Sequence, residues 1–124
     1  MHRYLAVMIG AATGGLARYL ASLAVLRHVS GAFPWGTLLI NVTGSFLIGV
    51  LMPFLTDRGD LHPNWRLLLV VGFLGGYTTF SSFTWETYLA VREGERGMAF
   101  LYVVGSVFAG LAAVWLGAAI TSRK

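Results

Sequence analysis

The sequence predicts an all-α membrane protein: a single domain over residues 1–124 that crosses the bilayer four times, with its third helix broken near the middle. Three observations carry this prediction. Apolar residues make up 56% of the chain and charged residues 11%, at a mean hydropathy of +0.71; that is too little charge to cover a soluble domain. The apolar residues gather into long runs, each near the ~20 residues that cross a ~30 Å hydrocarbon layer. The connections are short and hold the charges: Arg27-His28, Asp57-Arg58-Gly59-Asp60 and Arg92-Glu93-Gly94-Glu95-Arg96.

The first run covers about 4–26 and is interrupted only by Arg18. It is too long for the apolar core of a cleaved signal peptide, and such a core would not contain an arginine. Gly10-x-x-x-Gly14 gives it a face on which another backbone can come close. Arg18 is expected to snorkel toward the nearer interface or to attract anions at a mouth. The second run, about 35–55, has no charge. Thr37, Asn41 and Ser45 recur there every four residues and so share one helix face. Polar groups in an apolar span must meet a neighbouring helix or a polar path.

The third run, about 67–91, is the unusual one. Gly72, Gly75 and Gly76 precede Tyr77, Thr78, Thr79, Ser81, Ser82 and Thr84. Paired glycines lower helix propensity, and Ser and Thr compete for backbone groups. The helix is therefore expected to break within this glycine- and hydroxyl-rich stretch, near the middle of the run. Irregular backbone at that depth has to be buried in protein or line a cavity. It is either a plain kink or a set of freed carbonyls able to hold a small cation. Phe80 and Phe83, three apart, share a face; they either pack or turn their positive ring edges toward an anion. Glu86 is the lone acid within a span. It has three possible roles: pairing with a hydroxyl or Arg18, sitting at an entrance, or carrying a proton. The fourth run, about 98–120, sets Tyr102 and Ser106 on one face with Gly110 following, and Gly105, Ala109, Ala113 and Gly117 on another. Within-subunit packing is the expected use of both small-residue stripes. Pro34, Pro53 and Pro63 fall at or near run ends.

A net charge of +4 and a pI near 10 do not mark a nucleic-acid binder, since the basic residues stand singly between apolar runs. No cysteine is present, which removes disulfides and thiolate chemistry. With both termini on one side, Arg3, Arg58, Arg66, Arg123 and Lys124 face Arg27, Arg92 and Arg96. So weak a bias fits two readings: a modest single orientation, or insertion both ways and pairing as an antiparallel dimer. Rows of neutral N–H, O–H and ring-edge donors with few full charges suit an anion that must enter and leave quickly.

Gly14-Gly15-x-x-Arg18-Tyr19, Pro34-Trp35-Gly36-Thr37-Leu38 with Asn41-x-x-Gly44-Ser45-Phe46, and Gly72-Phe73-x-Gly75-Gly76-x-Thr78-Thr79-Phe80-Ser81-Ser82-Phe83 closely resemble the CrcB/Fluc fluoride channel family over essentially the whole chain. The resemblance implies an antiparallel, dual-topology homodimer in a bacterial inner membrane. Its two pores would export fluoride passively, without enzymatic activity. It implies a fluoride pathway of Asn41, Phe80, Phe83, Thr37, Tyr102, Ser106, Ser82, Thr79 and Glu86, with Arg18 at the vestibule. It also implies one structural Na+ held by the main-chain carbonyls of Gly75 and Thr78 from both subunits. The implied partners are fluoride, membrane lipid and a second copy, and not nucleic acid. Ser82-Phe83-Thr84 departs from the family's usual Thr-Phe-Ser but keeps its hydroxyls. A small proton-coupled drug transporter is the main rival. It needs a central carboxylate, usually on the first helix, and that helix has none. A non-transporting assembly subunit would leave the polar rows unexplained. For an enzyme, no nucleophile–base pair or metal cluster stands out, and His2, His28 and His62 lie at ends or in loops.

Overall fold

The computed structural model describes residues 2–122; Arg123 and Lys124, which entered the charge comparison, lie outside them. The first helix is Arg3–His28, the second Trp35–Asp57, the third span Asn64–Arg92 and the fourth helix Arg96–Thr121. All four are long and apolar enough to cross a membrane. The third span starts earlier than the apolar run suggests because Pro63, at φ −54°, opens a helix without needing an amide partner. Pro53 lies inside the second helix, which continues to Asp57.

The spans pack as two parallel pairs, as expected when successive crossings alternate in direction. The first helix lies against the start of the third span, glycine on glycine. A Cβ at Gly10 would fall 2.8 Å from the Phe73 amide nitrogen, and one at Gly72 would fall 2.8 Å from the Gly10 Cα. The second helix lies against the fourth in the same manner, with Gly49 facing the Val114 backbone and Gly117 facing that of Phe46. Thr121 Oγ1 adds a hydrogen bond to the Val50 carbonyl (3.1 Å). Gly10-x-x-x-Gly14 therefore packs within the subunit. The fourth-helix stripe divides: Ala113 and Gly117 are buried, whereas Gly105 faces open space.

The third span is broken within its glycine- and hydroxyl-rich stretch, just after the paired glycines. Residues Leu67–Leu74 form a π-helix and Gly75–Tyr77 close it with one α-helical turn. Thr78 and Thr79 are extended (ψ 159° and 113°), and Phe80–Arg92 resumes as α-helix. Gly75 and Gly76 stay helical because Gly76 is spent on close approach: its Cβ would fall 2.5 Å from the Ala11 carbonyl oxygen. The threonines make the break instead. Thr78 turns both its amide (3.0 Å) and its hydroxyl (2.9 Å) back to the Leu74 carbonyl, ending the first limb. Thr79 caps the second limb, its Oγ1 accepting from the Ser82 amide at 3.2 Å, the usual way a hydroxyl satisfies a first-turn amide.

Little of the subunit is core. Its accessible surface is 8361 Å² for 13.4 kDa, against about 6,500 Å² for a soluble monomer of that mass. Much of the excess is large apolar side chains such as Met8, Leu20, Phe108, Trp115 and Ile120. This is a surface for lipid or another protein.

Candidate functional site

The break is held by the second helix. Asn41 Oδ1 accepts from the Thr79 amide (2.8 Å) and its Nδ2 donates to the Thr79 carbonyl (3.0 Å). The backbone amide fixes which end of the side chain is oxygen, and one amide N–H of Asn41 is left over. Gly44 lets Thr78 seat against this helix, since a Cβ there would collide with Thr78 Cγ2. Beside the break, a groove of about 440 Å³ opens on the flank of the subunit between the second, third and fourth spans. Its walls include Asn41, Ser45, Thr79, Phe80, Phe83 and Ser106, together with Gly75 and Thr78. The hydroxyl oxygen of Ser106 is buried there with no hydrogen-bond partner.

From the groove an aromatic ladder leads toward the loop end. Phe80 lies 5.8 Å from Phe83, Phe83 lies 5.0 Å from Tyr102, and Tyr102 meets Phe33 edge-on at 5.6 Å. Phe80 is 77% exposed and Tyr102 only 1%. Phe33 was missed in the sequence; its one signal was adjacency to Pro34-Trp35-Gly36-Thr37. At this end Glu86 is held through both carboxylate oxygens, Oε1 accepting from Thr37 Oγ1 (2.7 Å) and Oε2 from Tyr102 Oη (2.6 Å). Two smaller cavities of about 160 and 170 Å³ meet at Glu86. Glu86 thus makes the hydroxyl pairing that is one of the three roles open to it from the sequence.

The structure thus brings Thr37, Asn41, Glu86, Tyr102 and Ser106 into one seam with Phe80, Phe83, Thr79 and Ser82. Ser82 is engaged on Thr79, whose hydroxyl donates to it at 3.0 Å. Arg18 Nη1 approaches the Thr78 carbonyl at 3.5 Å, a long and weak hydrogen bond. That carbonyl lies midway along the third span.

Gly75 and Thr78 fit a cation unequally. The amide that would cap the Gly75 carbonyl in an unbroken helix, that of Thr79, is turned to Asn41, so this carbonyl is released. The Thr78 carbonyl shares its surroundings with the Arg18 guanidinium. A cation there would need further oxygens beyond these.

Four spans, a helix broken in mid-crossing and a seam of neutral donors define a multi-pass membrane protein organised around an internal polar row. More particularly, the chain belongs to the CrcB family (CrcB-like protein, Camphor Resistance), whose model matches residues 5–118. The fluoride-specific ion channel FluC of Solibacter usitatus is 55% identical over 121 residues, 98% of this chain and 99% of that protein. Proteins of the same name from Acidobacterium capsulatum and Thermus thermophilus are 46% and 47% identical; they cover 98% and 94% of this chain, and 97% and 93% of their own lengths. The resemblance read from the motifs is borne out, and the family is one of ion channels rather than enzymes.

Proposed function

We propose that this chain is a fluoride-selective channel of the bacterial inner membrane, through which fluoride leaves the cytoplasm passively. The carrying observation is the Ser106 hydroxyl, buried without a partner in a groove whose other walls are Asn41, Phe80 and Phe83. A buried, unpaired hydroxyl costs about 1–3 kcal/mol, and an ion that accepts its hydrogen bond removes that cost. Three further groups suit an anion there. Asn41 keeps a free amide N–H, the phenylalanine edges are positive, and the limb beginning at Phe80 points the positive end of its dipole at the groove. No fixed ammonium or guanidinium lines the groove, so an ion replaces its hydration without being trapped. A negative-inside potential drives fluoride outward at ~2.3 kcal/mol per 100 mV.

The groove is open along the subunit flank, so closing it into a pore calls for a second copy. The reading is an antiparallel, dual-topology homodimer with two pores, surrounded by lipid. Arg18 stands at the vestibule, and a Na+ at the centre is held by the Gly75 and Thr78 carbonyls of both subunits. Such a fully enclosed cation would be structural, fixing the ends of the broken helices. For the rival drug transporter, Glu86 is poorly placed: it lies at one end of the seam with both oxygens already occupied.

Fluoride release from loaded liposomes, read with a fluoride electrode, tests the proposal. The wild-type protein releases fluoride and Ser106→Ala does so about fivefold more slowly, the factor one neutral hydrogen bond supplies. No release from the wild type would end the channel reading.

A further inference from the structure

We infer that Ser45 is a further fluoride-contacting residue, placed one turn beyond Asn41 and facing position 110 of the fourth helix. The inference rests on the channel reading above. Ser and Thr in apolar helices ordinarily turn their hydroxyls back to a carbonyl of the preceding turn. This chain follows that habit at Thr13, Thr43, Thr56, Thr87 and Ser122. Ser45 does not: no such bond is seen among the described residues, and its hydroxyl, unlike that of Ser106, is not sealed from the surface. It stands instead on the wall of the groove that holds Ser106.

Its placement follows from the two facing rows. Thr37, Asn41 and Ser45 rise on the second helix in steps of four, a span of about 12 Å at 1.5 Å per residue. On the parallel fourth helix Tyr102, Ser106 and Gly110 rise in the same steps. Thr37 and Tyr102 meet through Glu86. At the far level the second helix offers a hydroxyl and the fourth offers none. There, a Cβ built on Gly110 would lie 3.5 Å from Ser45 Oγ, in ordinary van der Waals contact, so a side chain at 110 would reach the same level of the groove. Ser45 and Ser106 are then two hydroxyls on adjoining walls, staggered by one turn, one accessible from the groove and the other buried without a partner. A small anion passing Phe80 and Phe83 would be handed from one to the other.

The test is fluoride flux through full-length wild-type and variant proteins in liposomes, with monodisperse elution as the folding control. Ser45→Ala is expected to lower flux about fivefold, the factor of one neutral hydrogen bond. Adding Gly110→Ser to Ser45→Ala returns the hydroxyl from the opposite wall and restores most of the flux; adding Gly110→Ala, which returns volume alone, does not. Should Ser45→Ala elute poorly, Ser45→Cys, of nearly the same size and a weaker donor, is expected to show the same loss. Unchanged flux in Ser45→Ala or Ser45→Cys, or equal rescue by alanine and serine at 110, would overturn the assignment while leaving the channel reading intact. A wild type that passes no fluoride would remove both, and so separates the two failures.

Discussion

At the scale of residues, the seam works by leaving some donors unsatisfied and tying others down. Asn41 does both, clamping Thr79 at its amide and carbonyl and keeping one N–H free. Asn41→Asp keeps the acceptor for the Thr79 amide, loses the donor to the Thr79 carbonyl and puts a negative charge beside the path. Fluoride flux should fall by well over about tenfold, ~1.4 kcal/mol of barrier, and the variant should lose monodisperse elution at a lower temperature than the wild type. Phe80→Ile and Phe83→Ile remove ring edges without breaking any hydrogen bond of the clamp. Each should cut flux at least about tenfold, ~1.4 kcal/mol, with elution unchanged; normal flux in both variants would contradict the ring-edge role. Both polar rows were legible in the sequence, since residues four apart share a helix face. The partners were not. Arg18 and Thr78 are 60 positions apart, and only the packing of the first helix on the third span brings them together.

At the scale of elements, small residues decide what touches what. The break in the third span is legible from its glycines and hydroxyls, but which of them ends the helix is not; the structure assigns that to Thr78 and Thr79. Glycine's low helix propensity is a penalty of backbone freedom and of exposure to water, and at Gly76 close packing against Ala11 offsets it. The threonines, which offer the backbone other partners, end one limb and cap the next. This makes a sharp contrast between glycines. Gly76→Ala drives a methyl to 2.5 Å from the Ala11 carbonyl and should cost about 1–3 kcal/mol as overpacking. Gly97→Ala meets nothing within 4 Å and should be neutral or stabilising by up to about 1 kcal/mol. Thermal loss of the folded species in detergent, followed by elution, reads both. Equal destabilisation would mean that the close approach of the first helix to the third span is misjudged.

At the scale of the molecule, one subunit exposes a groove and a broad apolar surface that a bilayer alone explains only in part. The spans and the absence of any sizeable soluble part are legible from hydropathy, because the bilayer imposes one length on every crossing. How copies assemble is not, because lipid and protein partners ask for the same apolar residues on the outside. Orientation can be measured directly, since the chain has no cysteine. If the proposed dual topology holds, Gly59→Cys, in the connection between the second and third spans, should be labelled to about half by an impermeant maleimide from outside intact cells. Complete labelling, or none, would mean a single orientation and would exclude the antiparallel pair.

The central claim is that uncharged donors and aromatic edges take the place of water around one small halide. Comparing fluoride and chloride release from liposomes containing purified wild-type protein, under the same potential, tests it most directly. Rapid fluoride release with chloride retained is expected; equal release of the two ions, or release of neither, would overturn the fluoride-channel reading.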